Sequence, residues 1–248
     1  MQTYAIGDIH GHIDALRAAH DRIAADRARF GVDAPVVHVG DLVDRGPDCR
    51  GVVHYLMEGQ AAGAPWVVLK GNHDRLFTQF LNDPFWKDPG LSREDLHWFD
   101  PRLGGAATLA SYGVAARLGD DVRAVRDDAV RKVPANHRQY LEGLPLYLPR
   151  GEALFVHAGI RPGVPMERQT EDDLVWIRKG FLEVAEPFGP LVVHGHTAIE
   201  AATHFGNRVD IDSGVAYGGP LSAVLVDGRR VWLITDQGRV ELTPQRPR

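Results

Sequence analysis

The sequence has a single cysteine, Cys49, in 248 residues. An intramolecular disulfide is therefore excluded, and a reducing compartment such as the cytoplasm fits the chain. Tyr55 stands where a cysteine phosphatase loop would need its arginine, so Cys49 reads as a small buried side chain. No apolar run is long enough to span a bilayer, and none is expected to do so. Residues 1–6 lead straight into the first motif without a charged and then apolar leader, so no secretory signal is expected. No Gly-x-x-x-x-Gly-Lys phosphate loop and no Gly-x-Gly dinucleotide fingerprint occur, which removes two common nucleotide-binding designs. An excess of positive charge is missing too. The formal net charge of −5 argues against nucleic-acid binding. It leaves a phosphate substrate open, because bound cations would offset acidic ligands locally.

What remains is an ordinary globular composition, 44% hydrophobic and 25% charged, suited to one domain, taken as residues 1–243. Segments 3–6, 36–39 and 66–69 are short apolar runs, each ending at a glycine motif, and read as buried strands. Between the first two, Ile13, Leu16, Ala19 and Ile23 have helical spacing. Between the next two, Val52, Val53, Leu56 and Met57 do the same after Asp48, an N-cap candidate. Asp8 and Asp41 are 33 residues apart and Asn72 follows after 31 more, close to the roughly 30 residues of a strand-helix-strand unit. The opening third therefore predicts parallel strands with the motifs at their C-terminal ends.

Residues 75–147 predict a helical insertion or cap. Leu76, Phe77, Phe80 and Leu81 give a helix ended by Asp83-Pro84. Ser92 with Asp95 is a capping-box candidate for a short helix containing Leu96 and Phe99, and 120–143 is helical in pattern. Strands resume at 153–156, 191–193, 209–211, 221–226 and 230–235, with Asp227-Gly228 as a hairpin signal. The late antiparallel strands suggest a second sheet packed on the first, and 244–248 a frayed tail. The fold class is thus α/β: two mixed β-sheets packed as a sandwich, flanked by helices.

Asp8, His10, Asp41, Asn72, His157 and His196 are oxygen or imidazole donors at or just beyond strand ends. This mixture suits manganese, iron or zinc better than a pure oxygen cage would. A shared carboxylate can bridge two cations, and such a pair acidifies water and clamps an in-line displacement at phosphorus. Arg45 and Arg178 could grip phosphoryl oxygens. His73 is a candidate general acid for the leaving oxygen, with Asp44 to orient it. His38, within a strand, reads as structural, and His20 and His137 as surface or helix residues. His12 and His194 have no assigned role. The basic cluster from Arg22 to Arg29 reads as a solvated helix face.

Gly7-Asp8-Ile9-His10-Gly11, Gly40-Asp41-Leu42-Val43-Asp44-Arg45-Gly46, Gly71-Asn72-His73-Asp74, His157-Ala158-Gly159 and His194-Gly195-His196-Thr197 together resemble the ordered signature of calcineurin-like metallophosphoesterases. The nearest branch is that of bacterial serine/threonine phosphoprotein phosphatases. The late stretch Asp212-Ser213-Gly214 with Tyr217-Gly218-Gly219 is similar to that family's strand-turn element. The resemblance implies a first metal on Asp8, His10 and Asp41, and a second on Asp41, Asn72, His157 and His196. It implies phosphate contacts from Arg45, Asn72 and Arg178, acid catalysis by His73 with Asp44, and direct attack on phosphorus without a phosphoenzyme. Two divalent transition ions, manganese first, would serve a phosphorylated protein, peptide or small phosphoester. His157-Ala158-Gly159 and Asp74 are also similar to symmetrical diadenosine-polyphosphate hydrolases. Those hydrolases differ at the position of Asp44, which tilts the expectation toward phosphomonoesters, with dinucleotide or other phosphodiester cleavage as the alternative and a non-catalytic scaffold as the remote one. With manganese added, the chain should turn over p-nitrophenyl phosphate, and His73→Asn should lower kcat by about 100-fold or more. Undiminished turnover would remove His73 from the mechanism.

Overall fold

Strands buried on both faces read as unbroken apolar runs, and they set the frame here. The structure, a computed structural model, describes residues 1–91 and 96–245. Its opening half contains β1 (Thr3–Ile6), α1 (Ile13–Phe30), β2 (Val36–His38), α2 (Cys49–Ala61), β3 (Trp66–Val68), α3 (Asn72–Asn82), α4 (Gly105–Ser111), α5 (Val122–Lys132) and α6 (Ala135–Glu142). There follow β4 (Tyr147–Arg150), β5 (Ala153–Val156), α7 (Glu171–Trp176), β6 (Leu191–His194), β7 (Thr203–His204), β8 (Arg208–Asp210), β9 (Ala223–Asp227), β10 (Arg230–Thr235) and β11 (Gly238–Glu241). One sheet has the order β11-β10-β9-β1-β2-β3 and the other β4-β5-β6-β8-β7.

The two sheets are mixed, as expected, but the late antiparallel strands do not build the second one. β9 pairs antiparallel with β1, Thr3 opposite Val226, and β10 and β11 extend that same sheet. The physical reason is that β1 pairs with β2 along only one edge, so β9 completes its ladder on the other. The second sheet instead takes β5, β6 and β8 as parallel strands, with β4 and β7 antiparallel at its edges. Side-chain alternation explains the packing. Ala5 and Val37 face Phe155, Val193 and Ile211 across the sandwich. Tyr4, Ile6 and Val36 face the other way, onto Leu16, Ile23 and Leu56 of α1 and α2.

Asp48 caps α2 by accepting from Gly51 N at 2.8 Å, and Gly31 ends α1 in the left-handed conformation. The helical stretch at 120–143 is split by Pro134 into α5 and α6. α4 begins at two glycines, which give no start signal. β4 carries a proline and lies at a sheet edge, where its missing N–H costs nothing. The capping box of Ser92 and Asp95 falls outside the described residues, and Leu96 to Phe99 form no helix. Of the tail, Gln245 N donates to His204 O at 2.7 Å, and 246–248 lie outside the described residues.

Three polar residues are more deeply placed than their sequence context indicates. His137 is buried against the Tyr112 hydroxyl at 3.0 Å. His20 meets the strand residue His38 through their Nε2 atoms at 3.0 Å. Asp26, inside the supposed solvated face of α1, is buried between Tyr4 and a bidentate Arg239. A fourth polar contact fastens α3 to its surroundings. Arg75 donates twice to fully buried Asp88, at 2.9 and 2.6 Å, and once to Asp172 of α7 at 2.7 Å. Arg75→Ala would strand the Asp88 charge, and it should lower unfolding free energy by about 3 kcal/mol, read as a shift in urea midpoint at unchanged slope.

Candidate metal centre

The motif residues reach one another because the chain turns sharply after each strand. Among the described residues, five non-glycine residues have positive φ: His10, Asp41, Asp44, Arg45 and His196. All five lie in the motifs. Such backbone is sparsely populated and persists only where surrounding bonds over-determine it. Here Ile9 N and His10 N both donate to Asp41 O, at 3.1 and 2.8 Å, and Gly11 N donates to Leu42 O at 2.9 Å. Two glycines let carboxylates approach the backbone. A Cβ on Gly71 would stand 2.1 Å from Asp41 Oδ1, and one on Gly195 would stand 2.0 Å from Asp8 Oδ1.

Asp41 is the centre of this arrangement. Its Oδ2 lies 3.5 Å from His10 Nε2 and its Oδ1 lies 3.4 Å from His157 Nε2. Two buried triads share it: His10, Asp41 and His73, and Asp41, His157 and His196, with ligand atoms within 4.8 Å of one another in each. Tautomers follow from the partners. His10 Nδ1 faces Val43 O at 2.8 Å and His157 Nδ1 faces Val39 O at 3.0 Å. A carbonyl only accepts, so each Nδ1 carries the hydrogen and each Nε2 lone pair points inward. Asn72 Oδ1 lies 2.9 Å from His157 Nε2. Asp8 lies outside both triads; its Oδ2 accepts from His196 N at 3.0 Å. Asp8 Oδ1 and His196 Nε2 are buried without any hydrogen-bond partner. Orphaned acceptors beside a shared carboxylate fit divalent cations well.

The electrostatics agree with that fit. Burial holds His10, His157 and His196 below the usual imidazole pKa, which keeps them neutral and able to ligate. Burial alone would raise Asp41, but His157, His73, His10 and His196 in their protonated forms outweigh it, so at low pH its carboxyl is held below the ordinary range. Asp8 is pushed up, first by burial and then by Asp212 and Asp41. That crowding of carboxylates is relieved when positive charge is bound.

His73 sits in the first triad, yet its ring is committed elsewhere. Nδ1 meets Asp44 Oδ2 at 2.6 Å, and Nε2 accepts from Arg45 Nη2 at 2.9 Å. Arg45 also donates to His10 Nε2 at 2.6 Å. Arg178 donates to His196 O at 3.4 Å. Arg45, His73, Arg178, His10, Asp41 and His196 line a cavity of about 150 Å³ with Asp212 and Tyr217. That volume suits a phosphoryl group and is small for a whole nucleotide.

Asp212 reads in the sequence only as part of a turn. Burial, with Asp41 nearby, raises its pKa. The available signal is its position: it follows a strand and precedes Ser213-Gly214, the grammar of the other motifs. Tyr217 likewise reads as turn. It is 69% exposed at the rim, with the Arg45 guanidinium 5.4 Å from its ring centre. His194, the last residue of β6, bonds Gly195 O and Arg208 and does not line the cavity.

The sequence matches the family described as calcineurin-like phosphoesterase over residues 1–225. The asymmetrical bis(5'-nucleosyl)-tetraphosphatase PrpE of Halalkalibacterium halodurans is 24% identical over 246 residues, covering 90% of this chain and 89% of that protein. The symmetrical bis(5'-nucleosyl)-tetraphosphatase of Pseudomonas fluorescens SBW25 is 36% identical over 74 residues, 30% of this chain and 24% of its own. Among solved structures, one provisionally described as a diadenosine tetraphosphatase aligns with TM-score 0.60 at 22% identity, covering 98% of this chain and 95% of that one. The cold-active protein-tyrosine phosphatase of a Shewanella species aligns with TM-score 0.60 at 15% identity, covering 98% and 80%.

Metal analysis tests the shared carboxylate. Manganese-reconstituted protein should hold about two ions per chain. His157→Ala should hold about one, and Asp41→Ala should lose both along with the manganese-dependent rise in thermal midpoint.

Proposed function

The chain belongs to the calcineurin-like phosphoesterase family, and on that premise we propose that it hydrolyses dinucleoside polyphosphates at a dinuclear metal centre. The observation that carries this reading is the coverage of the tetraphosphatase relatives. They align over 90% of this chain and nearly all of their own, at 24% and 25% identity. The likeness to a yeast serine/threonine phosphatase, TM-score 0.51 at 13% identity, speaks for the fold alone. The protein-phosphatase branch expected from the motifs therefore yields to the dinucleotide alternative. A small cavity with an open aromatic rim also favours a substrate that inserts only part of its phosphate chain.

Asp8, His10 and Asp41 would hold one cation, and Asp41, Asn72, His157 and His196 the other. Manganese, iron and zinc all suit these donors. Bound cations supply Lewis acidity toward a phosphoryl oxygen and acidify water. Arg45, Asn72 and Arg178 would fix the remaining phosphoryl oxygens and align the scissile bond. His73 would give the proton at Nε2 to the leaving oxygen, with Asp44 holding Nδ1. Residues 1–243 are taken as one domain with 75–147 as its insertion, acting in a reducing cytoplasm without nucleic acid. No helix among the described residues is long and apolar enough to cross a membrane.

One contact favours a second reading, phosphomonoester hydrolysis. The 2.6 Å pairing of Asp44 with His73 builds an acid whose value is greatest for a basic alkoxide, and a phosphate leaving group needs it less. Turnover of diadenosine tetraphosphate, p-nitrophenyl phosphate and phosphoserine, phosphothreonine and phosphotyrosine peptides should be compared on one manganese-loaded sample. The dinucleotide should lead in kcat/KM by about 100-fold or more, the scale of a specific phosphate-chain fit. Unequal nucleotide products would match the asymmetrical relatives, and equal ones the symmetrical. Cleavage of phosphopeptides with an inert dinucleotide would overturn the proposal.

A further inference from the structure

The segment between β3 and β4 reaches Asp44 from a turn, through Trp98, and from α4, through Thr108. We propose that Trp98 and Thr108 are positioning residues, which hold Asp44 behind His73 and so make this helical segment part of the proton-transfer apparatus. The inference rests on the reading of His73 as general acid.

Asp44 is fully buried and left-handed, with φ 71°. Besides His73, the side-chain partners of Asp44 come from residues 54 and 64 positions away. Trp98 Nε1 donates to Oδ2 at 2.9 Å. Thr108 Oγ1 donates to Oδ1 at 2.6 Å and accepts from Asp44 N at 2.8 Å. One hydroxyl therefore fixes both the backbone and the carboxylate of the same strained residue. The next residue is held from the same side, because Arg45 N donates to Gly104 O at 3.2 Å and Arg45 Nη2 to Arg102 O at 3.4 Å.

The two donors decide what His73 can do. With Thr108 on one oxygen and Trp98 on the other, the carboxylate keeps a lone pair on Oδ2 for His73 Nδ1–H. Nδ1 then keeps its hydrogen and Nε2 faces the cavity, where Arg45 also lies. In the chemical step a water oxygen would bond to phosphorus and lose its proton to solvent, and the bond to the leaving oxygen would break with its electron pair on that oxygen. A proton delivered from His73 Nε2 would neutralise that oxygen. A ring free to tilt about a loose Asp44 would deliver that proton poorly.

Packing ties the brace to the helix that carries His73. The Trp98 ring stacks on Phe77 of α3, centroids 5.6 Å apart at 21°, and tilts onto Phe80 at 4.9 Å. Gly105 leaves room for the indole, since a Cβ there would come within 2.3 Å of it. Donor and acid are thus mounted on the same apolar layer. Neither Trp98 nor Thr108 lines the phosphoryl-sized cavity, which gives them no route to substrate except through Asp44 and His73.

The test is a leaving-group series on manganese-loaded wild type, His73→Asn, Thr108→Val, Thr108→Ser and Trp98→Phe. Substrates run from p-nitrophenyl phosphate to phenyl phosphate, whose leaving oxygen is more basic. Thr108→Val and Trp98→Phe should lose kcat about 10-fold or more on phenyl phosphate and about 2-fold or less on p-nitrophenyl phosphate, with KM unchanged. Thr108→Ser should restore the wild-type pattern, and His73→Asn should show the same dependence more steeply. Losses equal across the series, or none, in the soluble Thr108 and Trp98 variants would overturn the inference while the acid role of His73 stands. Should Thr108→Val fail to fold, Trp98→Phe reads out the same brace through its other donor and decides alone. Flat losses in His73→Asn would instead overturn the acid assignment, and this inference with it.

Discussion

One buried carboxylate lies between two sets of imidazoles. Asp41 turns Oδ2 toward His10 and Oδ1 toward His157, and the other motif residues are arranged around it. A desolvated anion is costly unless it is compensated. Here the His73 backbone N–H donates at 2.9 Å, and bound cations would supply the rest of the compensation. The inward lone pairs of His10 and His157 are fixed by backbone carbonyls of residues flanking Asp41. The same short loop therefore places that shared carboxylate and orients its neighbours.

That placement draws on strain as well as attraction. Five non-glycine residues in the left-handed region, all within the motifs, is a concentration that a sheet edge alone does not require. The ladders of β1, β2 and β3 and the bonds from residues 9–11 onto Asp41 and Leu42 hold these turns in place. The polar network then extends outward: Asp44 supports His73, and the segment between β3 and β4 supports Asp44. Such a chain of contacts is how a fold holds a reacting geometry within a fraction of an ångström.

A dinuclear phosphoesterase centre is compatible with anhydrides and esters alike, because cations and arginines at such a site would address the phosphoryl group and not what is attached to it. Under the proposed function, selectivity would rest on the rim, where Tyr217 is exposed near Arg45. It would also rest on the proposed acid His73, whose importance would grow with the basicity of the leaving oxygen.

The parallel strands, the helices between them and the six candidate ligands are legible in the sequence. A strand followed by glycine and a donor recurs at near-constant spacing, and local pattern records such units faithfully. Asp26 and His137 escape a sequence reading because helical periodicity does not reveal a partner that arrives from a distant strand or loop. The home of β9–β11 is hidden for the same reason, since an antiparallel ladder can join any open edge of suitable length. The sequence by itself determined which donors stand at strand ends. Only the tertiary structure decided that Asp41 is shared, that Asp212 and Tyr217 join the cavity, and that Trp98 and Thr108 close on Asp44. Those outcomes depend on hydrogen bonds and burial between residues tens of positions apart, and no local pattern encodes them.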